Sequence, residues 1–136
     1  CSRFASAQAG AGGGVPWMEN VSSTISDDER LIRTVFIGRF ETKGLVDYFS
    51  NILEQVAPDA QYLEDVDFRG VDEFRVSYAD FIPYSKQAAK MYRTGRVRKT
   101  IFHVADELQY GMARLFASST GMDDDYFEFM RHDSQA

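Results

Sequence analysis

Two histidines, one cysteine and a few acidic clusters are the groups in this chain whose side chains suit catalysis or metal binding. His103 sits among apolar neighbours in a strand-like run, and His132 follows a second such run. Neither belongs to a His-x-x-x-His pair or has a cysteine nearby. Metal sites need several ligands at set spacings, so both read as core or edge residues and no metal ligand set is read. Asp65 and Asp67, followed by Asp72 and Glu73, fall toward the C-terminal end of a strand, where open α/β sheets bind ligands. Asp123, Asp124 and Asp125 add oxygen ligands on a loop, but their spacing matches no EF-hand and reads as solvated surface. No activated nucleophile is visible. There is no Gly-x-Ser-x-Gly, Ser118, Ser119 and Thr120 lie at a helix end, and Cys1 lies in a small-residue arm. Gly10, Gly12, Gly13 and Gly14 follow no strand and precede no Lys-Ser/Thr pair, so they make no phosphate loop. No cofactor pattern is present, and the chain reads as a non-enzyme.

Two other constellations carry more information. Ser77 stands three residues before Asp80, the spacing of a capping box. It is either a plain helix cap or a modification site, where a phosphate would meet a helix N-terminus. Tyr110 and Arg114 share a helical face, so the guanidinium either crosses the ring or pairs with a carboxylate. Gly111 beside them allows close approach of a ligand, or packs beneath a strand. The expected binding surface is Asp65, Asp67, Asp106, Tyr110, Gly111 and Arg114. With Ser77, these are expected on one rim, at the C-terminal ends of parallel strands.

The elements that must position these residues follow from periodicity. Cys1 to Gly14 is a small-residue arm, and residues 1–16 read as a flexible Gly/Ala-rich tail or linker. Trp17 to Ser26 and Leu31 to Thr42 read as two strands around the polar turn Asp27 to Arg30. The second is apolar on both parities, with Leu31, Val35 and Ile37 on one and Ile32, Phe36 and Phe40 on the other. That pattern predicts a central strand covered on both sides. Gly44 to Ala57 has helical spacing, with Thr42 as its cap and Pro58 as its stop. Gln61 to Arg69 is a strand and Gly70 to Val76 a connection. Pro83 predicts a main helix that starts there and runs to about Tyr92. The basic cluster Arg93, Arg96, Arg98 and Lys99 leads into a strand over Lys99 to Ala105. Asp106 caps a helix over Glu107 to Ser119, with Leu108, Met112, Leu115 and Phe116 inward, and Gly121 ends it. Tyr126 to Met130 is a last strand. His132 to Ala136 reads as the start of a further helix, so residues 17–136 are expected to be one domain cut before its last helix. The fold class is α/β, with a mixed, mostly parallel sheet, an N-terminal β-hairpin and helices on both faces.

Composition sets the outer bounds. The chain has 136 residues, 44% of them hydrophobic and 26% charged, which suits one soluble domain. The net charge of −6 argues against general nucleic-acid binding. No apolar run is long enough to span a bilayer. A cytoplasmic location is expected, with lipid anchoring through Cys1 as the alternative.

Several of these segments carry a resemblance. The run of a strand, a polar turn, a strand Thr-Val-Phe-Ile-Gly-Arg-Phe, a helix and an acidic strand Leu-Glu-Asp-Val-Asp-Phe resembles the STAS fold. Lys99 to Ser119, KTIFHVADELQYGMARLFASS, and Phe129 to Asp133, FMRHD, resemble sporulation anti-sigma-factor-antagonist-like proteins, which occur as stand-alone bacterial domains. The resemblance implies a non-catalytic regulatory module with a protein partner. In STAS antagonists a serine in an Asp-Ser-x-Gly loop is phosphorylated by a partner kinase. Ser77 takes roughly that place here, without the preceding Asp or the following Gly. The related CRAL-TRIO fold implies the alternative, a carrier of a small apolar or anionic ligand or a lipid, with the Arg93 to Lys99 cluster at its rim.

Overall fold

In Leu31 to Glu41, Ile32, Thr34, Phe36 and Phe40 are buried, whereas Arg33, Ile37 and Arg39 are exposed. Every later strand repeats this one-sided pattern, and the architecture follows from it. The structure, a computed structural model, describes residues 2–5 (as backbone), 20–51 and 53–132. A sheet of six strands is ordered as in the chain: β1 (Ser2–Ala5), β2 (Val21–Ser26), β3 (Leu31–Glu41), β4 (Tyr62–Arg75), β5 (Val97–Val104) and β6 (Phe127–Arg131). The first two pairings are antiparallel, with β2 and β3 forming the expected hairpin, and the pairings from β3 to β6 are parallel. Trp17 lies outside the described residues. Where the sequence reads as a tail, Ser2–Ala5 instead adds a strand beside β2.

Three helices connect the parallel strands: α1 (Thr42–Asn51), α2 (Tyr78–Arg93) and α3 (Glu107–Ser119). The α/β class and the mixed, mostly parallel sheet are as expected, but the expected helices on both faces are corrected to one face. Neighbouring strands are consecutive in the chain, so each right-handed crossover repeats the last and lays its helix beside the previous one. Leu45, Tyr48 and Phe49 of α1, Phe81, Ala88 and Tyr92 of α2, and Ala113 and Ala117 of α3 join a single core with the inward residues of the sheet. Phe49 stacks on Tyr84 between α1 and α2, and Phe81 meets Phe116 edge-on between α2 and α3.

The helix boundaries show where local signals competed. Thr42 is the first residue of α1 rather than its cap, and the helix stops at Asn51, with a 3-10 turn at Leu53–Gln55 before Pro58. The helix expected to start at Pro83 starts at Tyr78. Ser77 and Asp80 form the complete capping box, and Pro83 sits inside the helix. A capped first turn and the burial of Phe81, which is 2% exposed, outweigh the one hydrogen bond that proline removes. Asp106 caps α3 as expected, and Met112, Leu115 and Phe116 pack against the core beside buried Gln109, Ala113 and Ala117, but Leu108, expected inward, is 56% exposed. β4 absorbs the expected connection after Arg69 through register shifts against β3. Gly70 is needed there, because a Cβ would stand 2.9 Å from Ile37 Cγ2. The helix expected after His132 would fall on residues outside those described.

Candidate functional site

Alternation along Leu63 to Phe68 sends Glu64 toward the helices and Asp65 and Asp67 to the uncovered face. Parallel register then builds two rows across that face. Arg33, Asp65, Ile101 and Glu128 form one, and Val35, Asp67, His103 and Met130 the next. His103 Nε2 lies 2.8 Å from Asp65 Oδ1, and His103 Nδ1 lies 2.8 Å from His132 Nε2. Nε2–H of His103 donates to Asp65, and of the facing nitrogens His103 Nδ1 and His132 Nε2 one donates to the other, in the direction set by the tautomer. The two rings, 5.0 Å apart, form a hydrogen-bonded chain that ends on a carboxylate. Beside it, Arg69 grips Asp67 through Nε at 3.0 Å and Nη2 at 2.9 Å, and its backbone N–H donates at 2.8 Å. Burial pushes the Asp67 carboxyl up, but these donors together bring it below the usual aspartate range. Lys99 pairs with Glu128 at 3.1 Å.

Among the described residues no hydroxyl or thiol is hydrogen-bonded to either imidazole, and no group of three acidic, His or Cys side chains is arranged to hold a metal ion. The uncovered face is therefore a surface of self-paired charges with apolar side chains between them. Leu31, Val35, Leu63 and Ile101 are half-buried there, and Ile37 and Met130 are 52% and 39% exposed. Arg33 is exposed and makes no ion pair among the described residues.

The residues expected to gather on one rim are divided by the sheet. Ser77 follows β4 and Asp106 follows β5, so both do cap helices at the C-terminal ends of strands. Ser77 is exposed, and its Oγ lies 3.1 Å from Asp80 Oδ2. Asp106 Oδ1 accepts from the Gln109 backbone at 2.8 Å. Asp65 and Asp67 instead lie within β4, on the face away from the helices. Tyr110 and Arg114 clamp α3 onto β6. Arg114 Nη1 donates to Tyr110 Oη at 2.9 Å, the Arg131 guanidinium lies 4.4 Å from the Tyr110 ring centre, and Tyr110 meets Phe129 edge-on. Gly111 does not pack beneath a strand, because an added Cβ would meet nothing within 4 Å. The Arg93 to Lys99 cluster is dispersed. Arg96 donates to the Val56 carbonyl at 2.8 Å, Lys99 holds Glu128, and Arg93 and Arg98 are exposed.

Two functional features escaped the sequence reading. Gln109, buried at the start of α3, accepts from the Ala105 N–H at 2.6 Å and donates to the Val71 carbonyl at 2.9 Å, tying the helix to β4. Glu64 is 8% exposed on the helix side, where Tyr48 and Thr100 both donate to it, Thr100 at 2.6 Å, and Tyr92 bonds to Thr100. Burial raises its carboxyl above the usual glutamate range, and the donors only partly offset this. Its parity with Tyr62, Val66 and Phe68 was the available signal.

No protein-family model, curated protein or solved structure matches the chain. Among the described residues no helix is long and apolar enough to cross a membrane.

Proposed function

We propose that this chain is a non-catalytic regulatory protein-interaction module of STAS-like type, and that its partner docks on the uncovered face of β3 to β6. The observation that carries this reading is the one-sided sheet. Parallel sheets are ordinarily covered on both faces, and here the second face presents Leu31, Val35, Ile37, Leu63, Ile101 and Met130 without a layer over them among the described residues. The occupant that suits such a face is an amphipathic helix of another protein, since helices are what normally cover it. An acidic side chain on that helix would meet Arg33. Ser77 is the control point in this reading. A phosphate there would stand against the Asp80 carboxylate and break the capping box, loosening the start of α2. The location is taken as cytoplasmic.

A photo-crosslinking residue at position 37 tests the surface against one at Lys86, which is exposed on α2. A discrete adduct with one protein from position 37, absent from position 86 and lost on Arg33→Glu, is the expected result. Equal adducts from both positions, or none from position 37, would remove this face as the docking site.

The alternative, a ligand carrier, draws support from a cavity between sheet and helices. Its lining holds no Lys or Arg, so the anionic form of that reading has no counter-charge.

A further inference from the structure

Three side chains with lone pairs to offer meet on the uncovered face, although the sequence keeps one of them far from the other two. His103 is in β5, Met130 is in β6, and His132 follows β6 directly. Parallel register sets Met130 opposite His103. The His132 N–H continues the ladder to the Val104 carbonyl at 2.7 Å, and alternation turns its side chain to the same face as Met130. The 2.8 Å between His103 Nδ1 and His132 Nε2 shows that it arrives there.

Asp65 decides what His103 can offer. Its Oδ1 takes the Nε2 side of the ring at 2.8 Å, and both side chains are 17% exposed. A carboxylate on the far nitrogen of an imidazole fixes its tautomer and orientation and makes the near nitrogen a better ligand. Neutral His103 then carries its lone pair on Nδ1, facing His132. One proton lies between the two rings, and moving it to His132 Nδ1 frees a second lone pair on His132 Nε2. Metal–nitrogen bonds of about 2.0 Å at about 120° hold two nitrogens about 3.5 Å apart, so the pair must open by about 0.7 Å. Asp65 anchors His103, and His132, beyond the end of β6, is the ring that tilts. The third donor selects the metal. Met130 carries a soft thioether on a side chain of three rotatable bonds, is 39% exposed, and starts from a strand about 4.8 Å away. Among the described residues no three His, Cys, Asp or Glu side chains converge on one point, which is the set zinc takes. Thioether beside imidazole is instead a donor set for copper(I), a soft ion that is satisfied by three ligands. Asp67, also opposite His103, is held by Arg69 and does not compete as a ligand.

We propose that His103 Nδ1, His132 Nε2 and the Met130 sulfur bind one copper(I) ion on the uncovered face, with Asp65 as a positioning residue behind His103. The inference does not rest on the docking reading, and its failure would leave that face open to a partner.

The full chain is titrated anaerobically at neutral pH with copper(I) buffered by bicinchoninate, and separately with Zn²⁺. A Cys1→Ser background removes the one thiol as a competing ligand. One equivalent of copper(I) should bind and shift the ring resonances of His103 and His132 and the methyl of Met130. The methyls of Met91 and Met112, between sheet and helices, should not move. Zn²⁺ should bind at least about a hundredfold more weakly. His132→Ala should lose the site, and Met130→Leu should lose the preference for copper(I) over Zn²⁺. Asp65→Ala should weaken binding about tenfold and abolish the Nε2–H preference reported by the His103 nitrogen shifts of the metal-free chain. Absence of a saturable shift in either ring would overturn the proposal. So would rings that shift while the Met130 methyl does not, or Zn²⁺ binding as tightly as copper(I). These three outcomes are read on the Cys1→Ser chain and do not depend on the other variants folding.

Discussion

Glu64 and Asp65 are adjacent in β4 and carry the same functional group, yet they occupy different chemistries. Glu64 faces the helices, has only hydroxyl partners and is pushed toward its proton-bearing form. Asp65 faces away, keeps partial contact with solvent and has an imidazole 2.8 Å from its oxygen. The difference comes from strand alternation and from which face the crossover helices cover, not from the side chains themselves. The covered face is built for stability and encloses a small cavity. The uncovered face spends its charges on one another and leaves its apolar residues half in water.

The sharpest way to break this comparison is to put one charge on each face. Phe36→Asp buries an unpaired carboxylate at the centre of the core and should cost about 4 kcal/mol or more. Ile37→Asp, the next residue, should cost under about 1 kcal/mol, because its side chain is already half exposed. Chemical denaturation of both variants decides it, and similar losses would mean that the second face is covered after all.

A smaller effect separates the two carboxyls by pH. The folded state holds the Glu64 proton more tightly than the unfolded state does, so the folded state binds more protons above 4.5, the ordinary glutamate value. The stability contributed by Glu64 is therefore complete below that value and is lost as pH rises toward its elevated folded value. Glu64→Gln should gain on the wild type across that window, and then hold level. Asp67 runs the other way. Its contribution is present above 3.8 and is lost as pH falls toward its depressed folded value. A difference between Glu64→Gln and wild type that is flat with pH would contradict the burial argument.

Ser77→Ala removes a cap and should cost about 1 kcal/mol, with α2 amides near Asp80 exchanging faster. Asp65→Ala on the uncovered face should cost under about 1 kcal/mol, as a partly exposed pair does. A larger loss from Asp65→Ala than from Ser77→Ala would give the Asp65–His103–His132 chain a structural weight that its exposure does not suggest.

Much of the fold was legible because the signals were local. The hairpin, the order of strands and helices, the Ser77 and Asp106 caps and the Gly121 stop depend on neighbours a few residues apart. The side that the helices cover was not legible. Leu31, Val35 and Ile37 are as apolar as Ile32, Phe36 and Phe40, and a strand apolar on both parities does not say which molecule covers the second one. Arg33 and Arg39 on the Ile37 parity were the visible hint. Pro83 misled because a local helix-breaking signal was outweighed by the burial of Phe81. The contact between His103 and His132 depends on the register of β5 against β6, and nothing near either histidine sets that register. Glu64 was overlooked because the acidic group was read as Asp65 and Asp67 with Asp72 and Glu73, and alternation puts Glu64 on the opposite face from the first two.

Thiol accessibility on the two faces tests the central claim most directly. In a Cys1→Ser background, single cysteines are placed at Ile37 and Met130 on the uncovered face and at Thr34 and Thr100 on the covered one, and their reaction with a maleimide is timed under native conditions. Ile37→Cys and Met130→Cys should react at nearly the rate of a free thiol. Thr34→Cys and Thr100→Cys should be at least about a hundredfold slower, limited by opening of the fold. Protection of Ile37→Cys and Met130→Cys equal to that of the buried pair would contradict the one-sided sheet and the docking surface proposed on it.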